Sequence, residues 1–317
     1  MKINLIFDIG HIYFKSYSII RNIRPDFSLE KENDRFVFVR KFFIDLCAAV
    51  NMFEKQYIEN VYFCFDSRSF RKQISIKYKA TRLPKQQEFY DIMDESVEVL
   101  KSHGLNVYKI EGLEADDLVG LISNSNKGNE KLNVIYSGDE DTHQLLNENT
   151  VVYNNMSKRK IIYFTGSIEN ILKNEVLNSG PIFKKFFHDK IFTFKKQNPI
   201  KVLVEKIFLG CEGDEVERLL PFGFGTKKIE KILHKTNLIY KSPELLSEED
   251  LIYICEQCKI RYDFVTFNMQ LQLVGLNMKY YPHYSLALFN KQKTNFLPDI
   301  EFKMQTILQP TKYIHYV

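Results

Sequence analysis

The sequence predicts an α/β fold: a mostly parallel central sheet flanked by helices, followed by a mainly helical C-terminal region. Three observations predict it. Short apolar, β-branched runs alternate with stretches of helical apolar spacing over the first half of the 317 residues. The runs end at an acid or a glycine turn, as strands feeding crossover helices do. After Val202 the short runs give way to helical spacing.

Residues 2–7 form the first expected strand, with Ile3, Leu5, Ile6 and Phe7 in one apolar run that ends at a turn, Asp8-Ile9-Gly10. Residues 36–53 place Val39, Phe42, Phe43, Leu46 and Val50 at helical spacing. Residues 61–65 are a second buried strand ending at Asp66. Residues 89–103 form an amphipathic helix, and Gly104 is its stop signal. Residues 106–110 give a third strand. A helix opening at Ala115 carries Asp116 and Asp117 in its first turn. Residues 132–137 give a fourth strand, closed by Gly138-Asp139. Parallel sheets are covered on both faces, and their ligands sit beyond the carboxyl ends of the strands. Residues 151–153 and 160–164 flank a polar tip and predict a β-hairpin. Residues 183–196 interleave aromatics with five lysines, as either a nucleic-acid contact or a packing element. The change from α/β core to helical region is placed near residue 165, giving units 1–165 and 166–317.

Bulk composition excludes some classes. At 44% hydrophobic residues the chain can bury a sizeable core. A net charge of +4 permits a nucleic-acid partner without requiring one. Five cysteines, three of them in apolar runs, read as reduced thiols of an intracellular protein. Cys255 and Cys258 have C-x-x-C spacing, but no second pair completes a zinc site. No apolar run approaches the roughly 20 residues of a membrane span.

The acids carry the chemistry. Asp8 and Asp66 close two strands. Glu114 and Asp117 lie at i and i+3 on one helix face, with Asp116 turned away from them. Asp139 and Asp141 follow the fourth strand, and Asp214 and Glu217 lie further on. Singly, each also reads as a cap or a turn acid. Jointly, they place carboxylates on one sheet edge, where they repel unless cations lie between them. Hard oxygen ligands suit Mg²⁺ or Mn²⁺ rather than zinc. The expectation is a two-metal phosphodiesterase. A basic run follows Asp66: Arg68, Arg71, Lys72, Lys77, Lys79, Arg82 and Lys85, with Tyr78 among them. Such cations would hold phosphates and stabilise developing charge, and Tyr78 would stack on a base. Gly223 and Gly225 make a turn that leads into Lys227 and Lys228 at a helix start, where backbone N–H groups can grip a phosphate. The spacing is not that of a P-loop.

Taken together, Phe7-Asp8, Phe65-Asp66, Phe70-Arg71 with Tyr78-Lys79-Ala80-Thr81-Arg82, residues 112–120, residues 138–145 and residues 213–228 resemble the 5′→3′ exonuclease and flap endonuclease family, including phage-type ribonuclease H. Residues 261–282 match the family's late segment weakly. The resemblance implies a PIN/5′-nuclease-like core with a helical arch near residues 70–100, drawn over 81–100. It also implies a helix–hairpin–helix near 207–233 that grips duplex DNA at residues 223–228. It implies metal-dependent hydrolysis of RNA primers, 5′ ends and 5′ flaps during DNA replication, including RNase H activity on RNA–DNA hybrid. Asp8, Asp66, Glu114, Asp116, Asp139 and Asp141 then match the metal carboxylates, and Asp117 and Asp214 match two further acids. Glu217 stands where the family has an aspartate. Lys79 and Arg82 match the basic residues at the base of the arch, with Arg71, Lys72 and Tyr78 beside them. Two Mg²⁺ ions (Mn²⁺ substituting) are the implied cofactors. K⁺ is suggested at the hairpin, although the segment around Pro221 is shorter than the family's pattern. Implied partners are branched DNA, a sliding clamp and a single-strand-binding protein, met by a monomer in the cytoplasm of a phage-infected cell; the Lys-, Asn-, Ile- and Phe-rich composition fits an AT-rich phage genome. Two other readings are weighed: a PIN-type single-strand ribonuclease, whose chain is usually much shorter, and a catalytically silent binder of branched DNA, against which the number of intact acids argues.

Overall fold

The computed structural model describes residues 2–53, 57–126, 131–155, 160–166 and 192–292. Seven strands form one sheet: β1 (Lys2–Asp8), β2 (Ile58–Cys64), β3 (Asn106–Tyr108), β4 (Lys131–Tyr136), β5 (Thr150–Asn154), β6 (Lys160–Phe164) and β7 (Phe192–Lys196). Their order is β3-β2-β1-β4-β5-β6-β7. All neighbouring pairs run parallel except β5 and β6, which form the antiparallel pair predicted as a hairpin. The tip of that hairpin, residues 156–159, and most of the aromatic and lysine-rich stretch, residues 183–191, lie outside the described residues.

Side-chain alternation divides each central strand between two layers. Ile3, Leu5 and Phe7 of β1, Val61 and Phe63 of β2, and Leu132, Val134 and Tyr136 of β4 share one core. Helices α1 (Ile9–Ile23), α2 (Glu32–Val50) and α4 (Gln87–Ser102) cover that face with Tyr13, Phe38, Phe42 and Phe89. Ile6, Cys64, Ile135 and Val152 point the other way, beneath α5 (Ala115–Ser125). Both faces are therefore buried, which is why these strands read as continuous apolar runs.

The stretch after β1 differs from its sequence reading. Asp8-Ile9-Gly10 is not a turn: Asp8 caps α1 by accepting the His11 N–H at 3.4 Å, and the helix begins at Ile9. Its buried positions Ile9, Ile12, Tyr13, Ser16, Tyr17 and Ile20 follow the helical repeat.

The segment expected as an arch is also different. Residues 81–86 are exposed and without regular structure. From Phe89 onward the apolar side of α4 (Phe89, Ile92, Met93, Val97, Leu100) is packed into the sheet core, so this stretch covers the sheet rather than standing clear of it.

The helical region opens at α6 (Pro199–Leu209), past residue 165, because β7 still belongs to the sheet. It continues through α7 (Thr226–Lys235), α8 (Glu248–Cys258), α9 (Phe264–Val274) and α10 (His283–Gln292), with the short α3 (Arg71–Ile74) in the first half of the chain. A third core, built on Leu203, Ile207, Phe208, Ile232 and Phe267, includes Tyr78 from the basic run. No helix among the described residues is long and apolar enough to cross a membrane.

Candidate metal centre and its basic rim

Four chain segments bring carboxylates to the carboxyl edge of β1, β2 and β4. Asp8 ends β1, and its Oδ2 accepts the Ser137 hydroxyl at 2.7 Å. Asp66 follows β2 and accepts the Ala115 N–H at 2.9 Å, which ties it to the start of α5. Gly10 lies against both: a Cβ there would meet Asp66 Oδ2 at 2.9 Å and Asp8 Oδ1 at 3.3 Å. Glu114 is the N-cap of α5 and forms a capping box with Asp117. Ligand oxygens of Glu114, Asp116 and Asp117 lie within 4.8 Å of one another. Asp139 caps the 3-10 turn Glu140–Leu145 and accepts the Asp141 N–H at 2.9 Å.

Electrostatics mark the same edge. Burial, then the Asp66 charge, push the Asp8 carboxyl up to about 7, with Asp139 adding to the shift. Burial raises Asp66, with Glu114 adding to it. Burial, then Asp117, lift Asp116 well above the ordinary range. Glu114 goes the other way: burial pushes it up, but Lys79 and Arg71 outweigh this and hold it low. A set of acids raised by burial and by one another is what a cation would relieve.

The cations are not equivalent. Arg71 is 1% exposed. It grips Asp117 with two bonds of 2.7 Å, reaches Glu114 at 3.2 Å, and donates Nε–H to the Leu273 carbonyl at 2.9 Å. It cannot face a nucleic acid, because it is buried and its guanidinium is turned onto Asp117, Glu114 and the Leu273 carbonyl. Tyr78 is likewise buried and donates to Glu114 at 2.8 Å, so it does not offer a ring for base stacking. Asp117 is 0% exposed and takes three N–H donors, two from Arg71 and one from Glu114, which leaves it little capacity for a cation. Lys79 stays at the centre, with Nζ 2.6 Å from Glu114 and 4.0 Å from Asp214. Burial opposes its charge, but Glu114, Asp116 and Asp214 outweigh that and raise it. Arg82 is exposed and pairs with Asp214 at 2.5 Å. Lys72 is exposed.

Glu217 is not turned to the cluster. Its side chain is 65% exposed and pairs with Lys77 at 2.7 Å. Asp214 is engaged by Lys79 and Arg82. Lys206 of α6 forms an ion pair with Asp141, a contact that no local sequence signal announces. The places of Ser137 and Gly10 beside the acids also escape a sequence reading; a small residue directly after a strand end, or two positions after a capping acid, is the only hint.

At the expected hairpin, Gly223 takes φ +95°, and nothing lies within 4 Å of a Cβ built on Gly223 or Gly225. Phe222 is 97% exposed at this tip. Arg218 braces it by donating to the Leu220 carbonyl at 2.9 Å and to the Phe224 carbonyl. Lys227 and Lys228 are exposed, and Lys228 lies 3.6 Å over the Phe224 ring.

The donor set fits a hard divalent cation: every donor is an oxygen, Gly10 leaves the carboxylates room, and Asp8, Asp66 and Asp116 are raised as anions buried without enough countercharge. A parallel sheet that presents this set beside fixed cations has the architecture of a nuclease core. The family model of the 5′-3′ exonuclease N-terminal resolvase-like domain matches residues 4–173, and the chain belongs to the 5′→3′ exonuclease and flap endonuclease family. The chain is 26% identical over 205 residues to a 5′-3′ exonuclease of Mycoplasmopsis pulmonis, covering 64% of this chain and 60% of that one. It is 35% identical over 101 residues to DNA polymerase I of Caldicellulosiruptor bescii, covering 31% of this chain and 12% of that one. The chain thus spans less than two thirds of these relatives. The T5 D15 protein co-crystallized with metal ions shares the fold, with a TM-score of 0.54 and 14% identity over 99% of both chains. The bacteriophage T5 D15 flap endonuclease in a pseudo-enzyme-product complex with DNA and metal ions does so at a TM-score of 0.51 and 13% identity, over 100% of both.

Proposed function

We propose that this chain is a metal-dependent 5′ nuclease that hydrolyses phosphodiester bonds at 5′ ends and 5′ flaps of duplex DNA and in RNA–DNA hybrid, as in primer removal during replication. The observation that carries the reading is the meeting of Asp8, Asp66, Glu114 and Asp116 at one sheet edge, with the Lys79 ammonium 2.6 Å from Glu114. Asp8, Asp66, Glu114, Asp116, Asp139 and Asp141 would hold Mg²⁺, or Mn²⁺ in its place. When bound by these carboxylates, such an ion would supply Lewis-acid polarisation of a phosphate and a lowered pKa for a bound water. Asp117 stays outside that set because Arg71 occupies it. Asp214 and Glu217 would join it at a second ion only once Lys79, Arg82 and Lys77 release them.

The chain's own groups do the rest. Lys79 and Arg82 face the charge that develops on the transferring phosphate, and their placement before substrate arrives spares reorganisation. Lys72 and the open tip carrying Gly223, Gly225, Lys227 and Lys228 bind the duplex backbone. Residues 2–196 act as the nuclease core and the helical region from Pro199 as the duplex grip. The family's DNA-bound and metal-bound members support this reading. The test is cleavage of a 5′-flap duplex and of an RNA–DNA hybrid, in Mg²⁺, in Mn²⁺ and in EDTA. Cleavage of either with metal and none in EDTA is expected. Binding without cleavage, or cleavage indifferent to EDTA, overturns the proposal.

A further inference from the structure

We infer that Glu215 is a positioning residue, whose carboxylate holds the backbone of the basic segment so that Lys79 and Arg82 converge on the centre. The inference rests on the nuclease reading above.

Lys79 lies outside any helix or strand and adopts φ +53°, a left-handed conformation that a lysine holds only when its surroundings impose it. The imposing surface is the turn at residues 213–215. Lys79 N–H donates to the Asp214 carbonyl at 3.2 Å, and Arg82 Nε–H donates to the Gly213 carbonyl at 3.2 Å. Between them, Thr81 N–H donates to Glu215 Oε2 at 2.9 Å. Ala80 N–H and the Thr81 hydroxyl act on the same carboxylate.

Glu215 is itself left-handed, at φ +56°. Two strained, non-glycine residues therefore face one another across two loops. Glu215 is the side chain that bonds the backbone between the two functional cations. Its carboxylate is committed to that backbone. Unlike Glu114, Asp214 and Glu217, it has no lysine or arginine within ion-pair distance among the described contacts. Losing it leaves both cations in the molecule and removes what orients them.

The experiment compares Glu215→Ala, Glu215→Gln and Lys79→Ala in full-length protein. It measures single-turnover cleavage of a 5′-flap duplex in Mg²⁺, duplex affinity in EDTA and the melting temperature. Glu215→Ala should cut the single-turnover rate by about 10- to 100-fold, as loss of orientation does. Affinity should change by less than about threefold, so the loss falls on the chemical step. Glu215→Gln keeps an amide oxygen for Thr81 N–H and should recover most of the rate. Adding Glu215→Ala to Lys79→Ala should cost less than it does in the wild-type background, because only the orientation of Arg82 is left to lose. A wild-type rate for Glu215→Ala, equal losses of rate and affinity, or a Gln variant as slow as Ala would each overturn the assignment. Failure of the wild-type protein to cleave at all would instead sink the nuclease reading beneath it. Should Glu215→Ala melt too early to assay, the Gln variant and Glu215→Asp carry the comparison; a near-wild-type Gln rate with a slowed Asp variant, whose shorter side chain withdraws the acceptor from Thr81 N–H, supports the role, and a slow Gln variant or a wild-type rate in both refutes it.

Discussion

Replacing Arg71 by methionine should destabilise the protein more than any single loss at the rim. Arg71 and Asp117 are a fully buried pair, joined by two bonds of 2.7 Å, and Asp117 retains only the Glu114 N–H among its three N–H donors once the guanidinium is gone. Stranding one buried charge in this way costs about 3–5 kcal/mol. Removing both charges, with Arg71→Met and Asp117→Leu together, strands neither charge of the pair, although the Leu273 carbonyl and Glu114 each lose a donor and the Glu114 N–H its acceptor. An apolar replacement of a buried pair is close to neutral. Asp117 also serves the capping box of α5, whose loss costs about 1 kcal/mol. The double variant should therefore recover more than half of the single variant's loss. Urea denaturation followed by circular dichroism at pH 7 measures each corner of the cycle. A loss under about 1 kcal/mol for Arg71→Met would refute the reasoning, since a stranded charge should cost several times that. So would a double variant no more stable than the single.

Three further outcomes follow from the centre. Asp141→Asn should slow hydrolysis by about 100-fold or more with the circular dichroism spectrum unchanged, and wild-type turnover would remove Asp141 from the machinery. Asp8 sits at about 7 in the folded protein, above its unfolded value, so the metal-free fold binds the extra proton between about 4 and 7. Stability of the metal-free protein contributed by Asp8 is then greatest at low pH and is lost as pH rises through that window. Mn²⁺ affinity, which requires the carboxylate, should rise over the same window by calorimetry, and a flat affinity from pH 5.5 to 7.5 would contradict the assignment. Gly10→Ala inserts a Cβ 2.9 Å from Asp66 Oδ2. Mn²⁺ affinity should fall by about tenfold, with unchanged affinity as the refuting result.

The strands and their acids were legible because strands buried on both faces appear as unbroken apolar runs, and the acids follow them directly. Glycine and N-cap chemistry were harder. Asp8-Ile9-Gly10 carries residues common to turns, while the tertiary cover over Ile12, Tyr13 and Tyr17 makes it a helix start. Arg71 and Tyr78 belong to a basic run that reads as solvent-facing. What buries them is Asp117, 46 positions from Arg71, and the helical core that encloses Tyr78. No local pattern carries that pairing. The same holds for Glu217, whose partner Lys77 lies 140 positions away, and for Lys206 beside Asp141. Metal-seeking and lysine-paired carboxylates look alike in one dimension.

The turn before Glu114 is seated by the last described helix. Gly112, at φ +89°, lies so close to α10 that a Cβ would meet the Ser285 hydroxyl at 2.6 Å, and that hydroxyl donates to the Glu111 carbonyl at 2.7 Å. During synthesis, residue 285 leaves the ribosome long after Glu114 does. A nascent chain that has already paired its first strands still lacks this seat, so the backbone before Glu114 gains its last support late in translation.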